Sequence, residues 1–152
     1  FNHGDSSLSN CLGYKDSVLI SDLEYAGKDS PIKQCIDYLI HPQNQLVTID
    51  KKLWFDYFWI NLIDKDDKKL CNSYFSLFAL KWSLIILNEF LPSIWALRLH
   101  SDSMREHYRD MILERQLYKS KLYIKASQKL FNDESPLQVF NKSEKTIINE
   151  SY

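Results

Sequence analysis

His3-Gly4-Asp5-Ser6-Ser7-Leu8-Ser9-Asn10 opens the chain, and Val18-Leu19-Ile20-Ser21-Asp22-Leu23-Glu24-Tyr25-Ala26-Gly27 follows closely. The first stretch sets a His, an Asp and an Asn at fixed offsets in a short polar loop. The second is an apolar run that ends in an acid. Between them, Cys11-Leu12-Gly13-Tyr14 and residues 17–22 read as two short strands joined tightly by Lys15-Asp16, which predicts a small hairpin. Residues 1–30 therefore hold nearly all the loop chemistry.

Past the hairpin the chain reads as helix. Asp29-Ser30-Pro31 is a helix start, with capping side chains and then Pro at the first helical position. That helix runs to about residue 40 and stops at His41-Pro42, because a residue before Pro avoids helical geometry. Asp50 is placed to cap a second helix over 51–63, with Leu53, Trp54, Tyr57, Phe58 and Ile60 expected on one broad buried face. Residues 64–68, Asp-Lys-Asp-Asp-Lys, read as a solvated break. Further helix is expected over 69–90 and over 102–131. On the last helix Met104, Tyr108, Met111, Leu113, Leu117, Tyr118, Leu122 and Ile124 form an approximate apolar stripe. The chain after Asn132 is polar and expected to fray.

Composition agrees with a folded, mainly helical domain. Of 152 residues, 45% are apolar and 14% aromatic, while Gly (3) and Pro (4) are too scarce for a many-turned β protein. A net charge of −1 gives little electrostatic support to nucleic-acid binding. Cys11, Cys35 and Cys71 are odd in number and form no CxxC, so reduced thiols and a cytoplasmic setting are expected. Lys81, Glu89, Pro92 and Arg98 interrupt the most apolar run, 75–99, which predicts a buried helix pair and no membrane span. No signal peptide is visible.

The chemistry of the opening stretch is that of phosphoryl transfer, which asks a protein for positioning and charge neutralisation more than for covalent work. In H-x-D-x-x-x-x-N the Asp faces an acceptor hydroxyl and takes its proton, and the Asn reaches a metal that bridges phosphates. Magnesium prefers few protein oxygens, with water and phosphate completing its shell. The Asn10 amide and the Asp22 carboxylate suit that demand, and Glu24 is placed to serve a second metal. The alternative is a capped loop whose Asp5 and Asn10 satisfy backbone donors.

The chain resembles the aminoglycoside phosphotransferase/choline kinase-like superfamily. The resemblance rests on the opening motif, Asp22-Leu23-Glu24-Tyr25-Ala26-Gly27, Asp29-Ser30-Pro31-Ile32-Lys33, Asp37-Tyr38-Leu39-Ile40-His41-Pro42 and Leu80-Lys81-Trp82 through Asn88-Glu89-Phe90-Leu91-Pro92. It spans roughly residues 1–130. It implies the C-terminal lobe of a protein-kinase-like α+β fold: 1–131 as that lobe, with catalytic and metal loops in 1–30 and a helical subdomain in 31–131, and 132–152 as a polar tail. It implies Asp5 as catalytic base, His3 as support for the catalytic loop, Asn10 and Asp22 as magnesium ligands, and Asp37 as a buried anchor. ATP and Mg2+ would be the cofactors, and a small-molecule hydroxyl (aminoglycoside, choline or another amino alcohol, or sugar) the acceptor. The Ser6-Ser7-Leu8-Ser9 filler, Ser21, Leu23 and Lys28 depart from the usual pattern.

No Gly-rich loop or phosphate-gripping lysine precedes the motif, and the chain opens on Phe1. The expectation is a piece lacking its nucleotide-clamping N-lobe, supplied by a longer chain or a separate polypeptide, and inactive alone. The competing reading is a non-catalytic remnant serving as a helical binding or scaffold module. His41 is expected to cap a helix, His100 and His107 to lie at the surface, the 54–59 aromatics to pack in the core, and Lys119, Lys121, Lys125 and Lys129 to form a solvated face.

Overall fold

The computed structural model describes residues 8–24, 26–44, 46 and 48–132. The order is a 3-10 turn at Leu8–Asn10, strands β1 (Cys11–Tyr14) and β2 (Ser17–Ile20), then helices α1 (Pro31–Ile40), α2 (Thr48–Asn61), α3 (Lys65–Lys69), α4 (Cys71–Ile86), α5 (Pro92–Ser101) and α6 (Arg109–Phe131). Further 3-10 segments, Leu87–Phe90 and Ser103–Tyr108, flank α5. Among the described residues the fold is mainly α with a small two-stranded hairpin, as expected.

The hairpin register pairs Cys11 with Ile20 and Tyr14 with Ser17. Lys15 takes the left-handed conformation (φ 52°) that lets so short a turn close. The second strand ends at Ile20, two residues earlier than the sequence suggests. Ser21 still donates its backbone N–H to Asn10 O (2.8 Å), but Asp22 swings the chain away at φ 59°.

α1 begins and ends where its signals lie. Asp29 accepts the Ser30 N–H at 2.8 Å and pairs with Lys33 one turn on, while Pro31 leads the helix and His41 closes it before Pro42. α2 starts at Thr48, earlier than predicted, with Asp50 in its first turn instead of at the cap. Its buried face is also rotated. Lys51 (2% exposed) and Phe58 are buried and Trp54, Phe55 and Trp59 pack on the core, whereas Leu53, Tyr57 and Ile60 face out. The 64–68 break proves helical: Asp64 caps α3 by accepting the N–H groups of Asp66 (2.9 Å) and Asp67 (2.8 Å).

Phe75, Ala79 and Cys71 of α4 meet Ile32, Cys35, Ile36, Leu39 and Ile40 of α1, with Ala126 and Leu130 of α6 completing the core. The expected α6 stripe is not the buried face. Met104 and Tyr108 sit in the 3-10 segment and are exposed, as are Met111, Leu117 and Ile124; Ser120, Ala126 and Leu130 are buried. Small residues let α6 approach α4 closely, and Ser76 Oγ donates to Ser127 O at 3.0 Å. The apolar run divides at Pro92 as expected, but Leu77, Leu80, Leu84 and Leu97 are exposed. Among the described residues no single helix is long and apolar enough to cross a membrane; α4 with its following turn, together with α5, passes only as a pair bent by 72°.

Beyond this core, buried Glu89 ties three segments together. Arg98 of α5 and Arg105 of the Ser103–Tyr108 turn bind its two oxygens at 2.5 and 2.9 Å, and Trp95 donates its indole N–H to Glu106 at 2.7 Å.

Candidate functional site

The open end of the hairpin brings two of the candidate residues onto neighbouring segments. Because Cys11 faces Ile20, the next residues outward are Asn10 and Ser21. Ser21 holds Asn10 O with both its N–H (2.8 Å) and its hydroxyl (3.2 Å). Asp22 is therefore one residue beyond a doubly bonded contact with Asn10. Its left-handed φ is tolerated by Asp better than by most side chains, and such conformations persist where surrounding structure enforces them. A turn follows, closed by Ala26 N–H to Leu23 O at 2.9 Å.

Asn10 is half-buried, and Asp22 and Glu24 are exposed. His3 and Asp5 lie outside the described residues. Among the described residues no three His, Cys, Asp or Glu side chains are grouped to hold a metal ion. By residue type alone, an amide oxygen from Asn10 and a carboxylate from Asp22 would fit a magnesium ion that keeps water and phosphate in its shell.

Two further residues singled out in the sequence, Asp37 and His41, sit on α1 and just after it. Asp37 is buried, with Lys81 Nζ at 3.0 and 3.3 Å from its two oxygens and the Trp82 indole N–H at 3.3 Å. Burial pushes its carboxyl above the ordinary range, and the Lys81 ammonium opposes that rise. It is a buried anchor in this fold. His41 is buried at the end of α1, packs edge-on to Trp82 (4.5 Å between centroids), and accepts the Gln43 N–H on Nδ1 at 3.2 Å.

Asn44 carried no signal in the sequence. It is 5% exposed, accepts the Leu8 N–H on Oδ1 at 2.8 Å, and donates from Nδ2 to Tyr38 O at 2.9 Å. Buried Lys51 was also missed, although Lys51, Trp54, Phe55 and Phe58 have the spacing of one helical face.

The remaining expectations divide. His100 and His107 are exposed, as are Lys121, Lys125 and Lys129; Lys119 is half-buried, and burial lowers its ammonium pKa. Trp54 stacks on Tyr38 (4.0 Å between centroids) and lies 4.8 Å from Phe58, so the aromatics do core work, with Tyr57 outside it. Cys11, Cys35 and Cys71 are all free thiols. Compared with protein-family models, curated proteins and solved structures, the chain matches none.

Proposed function

We propose that this chain is the C-terminal part of an ATP-dependent small-molecule phosphotransferase, acting in the cytoplasm on a hydroxyl acceptor such as an aminoglycoside, an amino alcohol or a sugar. The observation that supports the reading is the double hydrogen bond from Ser21 to Asn10 O, which holds the backbone of one candidate ligand against the residue before the other, Asp22.

In this reading the acceptor oxygen attacks the γ-phosphorus of ATP. An O–P bond forms as the bond to the β,γ-bridging oxygen breaks, and ADP leaves with that electron pair. The acceptor proton passes to the Asp5 carboxylate, with His3 supporting the loop. Asn10 and Asp22 would hold magnesium, and Glu24 would serve a second ion. Magnesium, when bound, neutralises phosphate charge. Asp37, Lys81 and Trp82 brace α1 against α4 within the helical body. A kinase-like N-lobe, from the same longer chain or another polypeptide, would grip the nucleotide.

The test is Mn2+ binding to the chain, followed by electron paramagnetic resonance with and without ATP. Saturable binding that Asp22→Ala abolishes and Asn10→Ala weakens is the expected result. Binding that neither substitution affects, or no binding at millimolar metal, would sink the proposal. A scaffold role is the second reading. It is favoured by the exposed Leu12, Tyr14, Val18 and Leu19 of the hairpin, which offer apolar surface to a protein neighbour.

A further inference from the structure

The side chain of Asn44 ties the candidate metal loop to the helical body. Asn44 lies 36 residues from Leu8 in sequence, yet its Oδ1 accepts the Leu8 N–H at 2.8 Å. Its other amide atom, Nδ2, donates to Tyr38 O at 2.9 Å, and its backbone N–H donates to His41 O at 3.0 Å. The side chain is therefore fixed by the last turn of α1 and offers its oxygen outward to the loop. A buried amide can be aimed in this way because both of its ends are satisfied.

The anchor is itself rigidly held. Tyr38 stacks on Trp54, the Ile40 carbonyl accepts the Tyr123 hydroxyl of α6, and Asp37 is bound by Lys81 and Trp82 of α4. Three helices thus converge on the short segment that Asn44 grips. From Leu8 the 3-10 turn runs only to Asn10, whose carbonyl is in turn bound by Ser21. The turn is pinned at its first residue by Asn44 and at its last by Ser21. A cap of α1 alone would need the bond to Tyr38 O and not the one to Leu8.

We infer that Asn44 is a positioning residue that sets the Leu8–Asn10 turn, and with it the Asn10 ligand, relative to Asp22. The inference rests on the reading of Asn10 and Asp22 as magnesium ligands. Asn44 touches neither substrate nor metal in this role and acts through the Leu8 amide. Removing it leaves the residues of the site intact but unregistered, which is how outer supports of metal ligands act.

Three variants of the full chain test it, with Mn2+ as the probe. Asn44→Ala removes both amide contacts. Asn44→Asp keeps an acceptor for Leu8 but loses the donor to Tyr38. Ile86→Val trims the core on α4 and touches neither partner. Hydrogen exchange at the Leu8 amide should quicken about tenfold or more in Asn44→Ala. Mn2+ affinity should fall about tenfold in the same variant. Asn44→Asp should recover most of both, and Ile86→Val should leave Mn2+ affinity unchanged. Unchanged affinity in Asn44→Ala, unchanged Leu8 exchange, or an equal loss in Ile86→Val would each overturn the inference while the metal reading stands. A wild-type chain that binds no Mn2+ would instead remove the metal reading, and this inference with it.

Discussion

The hairpin and the helix that follows it are built from similarly apolar residues and treat them in opposite ways. In β1 and β2 every residue after Cys11 is exposed, including Leu12, Tyr14, Val18, Leu19 and Ile20. In α1, ten residues long, six are buried. The difference is one of partners. α1 lies between α2 and α4 and fills their grooves, while a two-stranded sheet has no second layer to bury either face. The stability of the molecule therefore resides in the helices, and the candidate ligands hang at the open end of its least packed element. Asn44 joins the two regimes through the Leu8 amide, and Ser21 carries that tie across to the second strand.

Thiol chemistry should separate the two regions by the widest margin. Cys35 and Cys71 are buried in the helical core; burial pushes the Cys71 thiol up to about 11 and raises Cys35 further. Cys11 begins the hairpin and is half-buried. With iodoacetamide at pH 8, Cys11 should label first, and the other two about a hundredfold or more slowly until the protein unfolds. Similar rates at all three would mean that the core opens as readily as the hairpin.

Core truncation comes next. Phe75 is 1% exposed, faces the Phe55 ring at 6.3 Å, and belongs to the cluster shared by α1, α4 and α6. Phe75→Ala should lower unfolding free energy by about 3–5 kcal/mol in urea denaturation. A loss below about 1 kcal/mol would show that the helices are not the stable half.

The Asp37–Lys81 pair gives a smaller effect with a defined pH dependence. Burial holds the folded-state pKa of Asp37 above its ordinary 3.8, so the folded protein keeps that proton more tightly than the unfolded chain. This group's contribution to stability is therefore greatest at low pH and falls as pH rises from 3.8 through the folded value. Lys81→Met removes the cation that opposes the rise. The cost should be about 2 kcal/mol at pH 7, moderated because Lys81 is half-exposed, and should shrink towards pH 4 as Asp37 takes up its proton. A cost that grows on acidification would contradict the burial argument.

The contrast also marks what the sequence reveals. Local signals were legible: Pro31 and His41-Pro42 bound α1, and a turn at Lys15-Asp16 fixes Cys11 against Ile20, hence Asn10 beside Ser21. Helix phase was not. Counting apolar residues on α2 favoured Leu53, Tyr57 and Ile60, but the packed face runs through Lys51, whose long aliphatic stem can lie among apolar neighbours. On α6 the buried residues are Ser120, Ala126 and Leu130, two of the three small, and Ser127 accepts a hydrogen bond from Ser76 of α4, so apolar content alone does not mark the packed face. Asn44 was silent because its meaning depends on a backbone amide 36 residues away.

The smallest effect is the one that tests the hairpin side of the comparison. Leu19 is exposed on β2 opposite Leu12, which is exposed as well, so Leu19→Ala removes little packed area. Unfolding free energy should change by no more than about 0.5 kcal/mol, the usual range for a surface substitution. A loss comparable with that of Phe75→Ala would mean that Leu19 is covered in solution by another surface, and oligomeric state measured by light scattering would show whether a second copy of the chain is the cover. If stability and mass are both unchanged, the apolar hairpin contributes nothing to holding this chain together. Its composition would then have to be explained by what it binds.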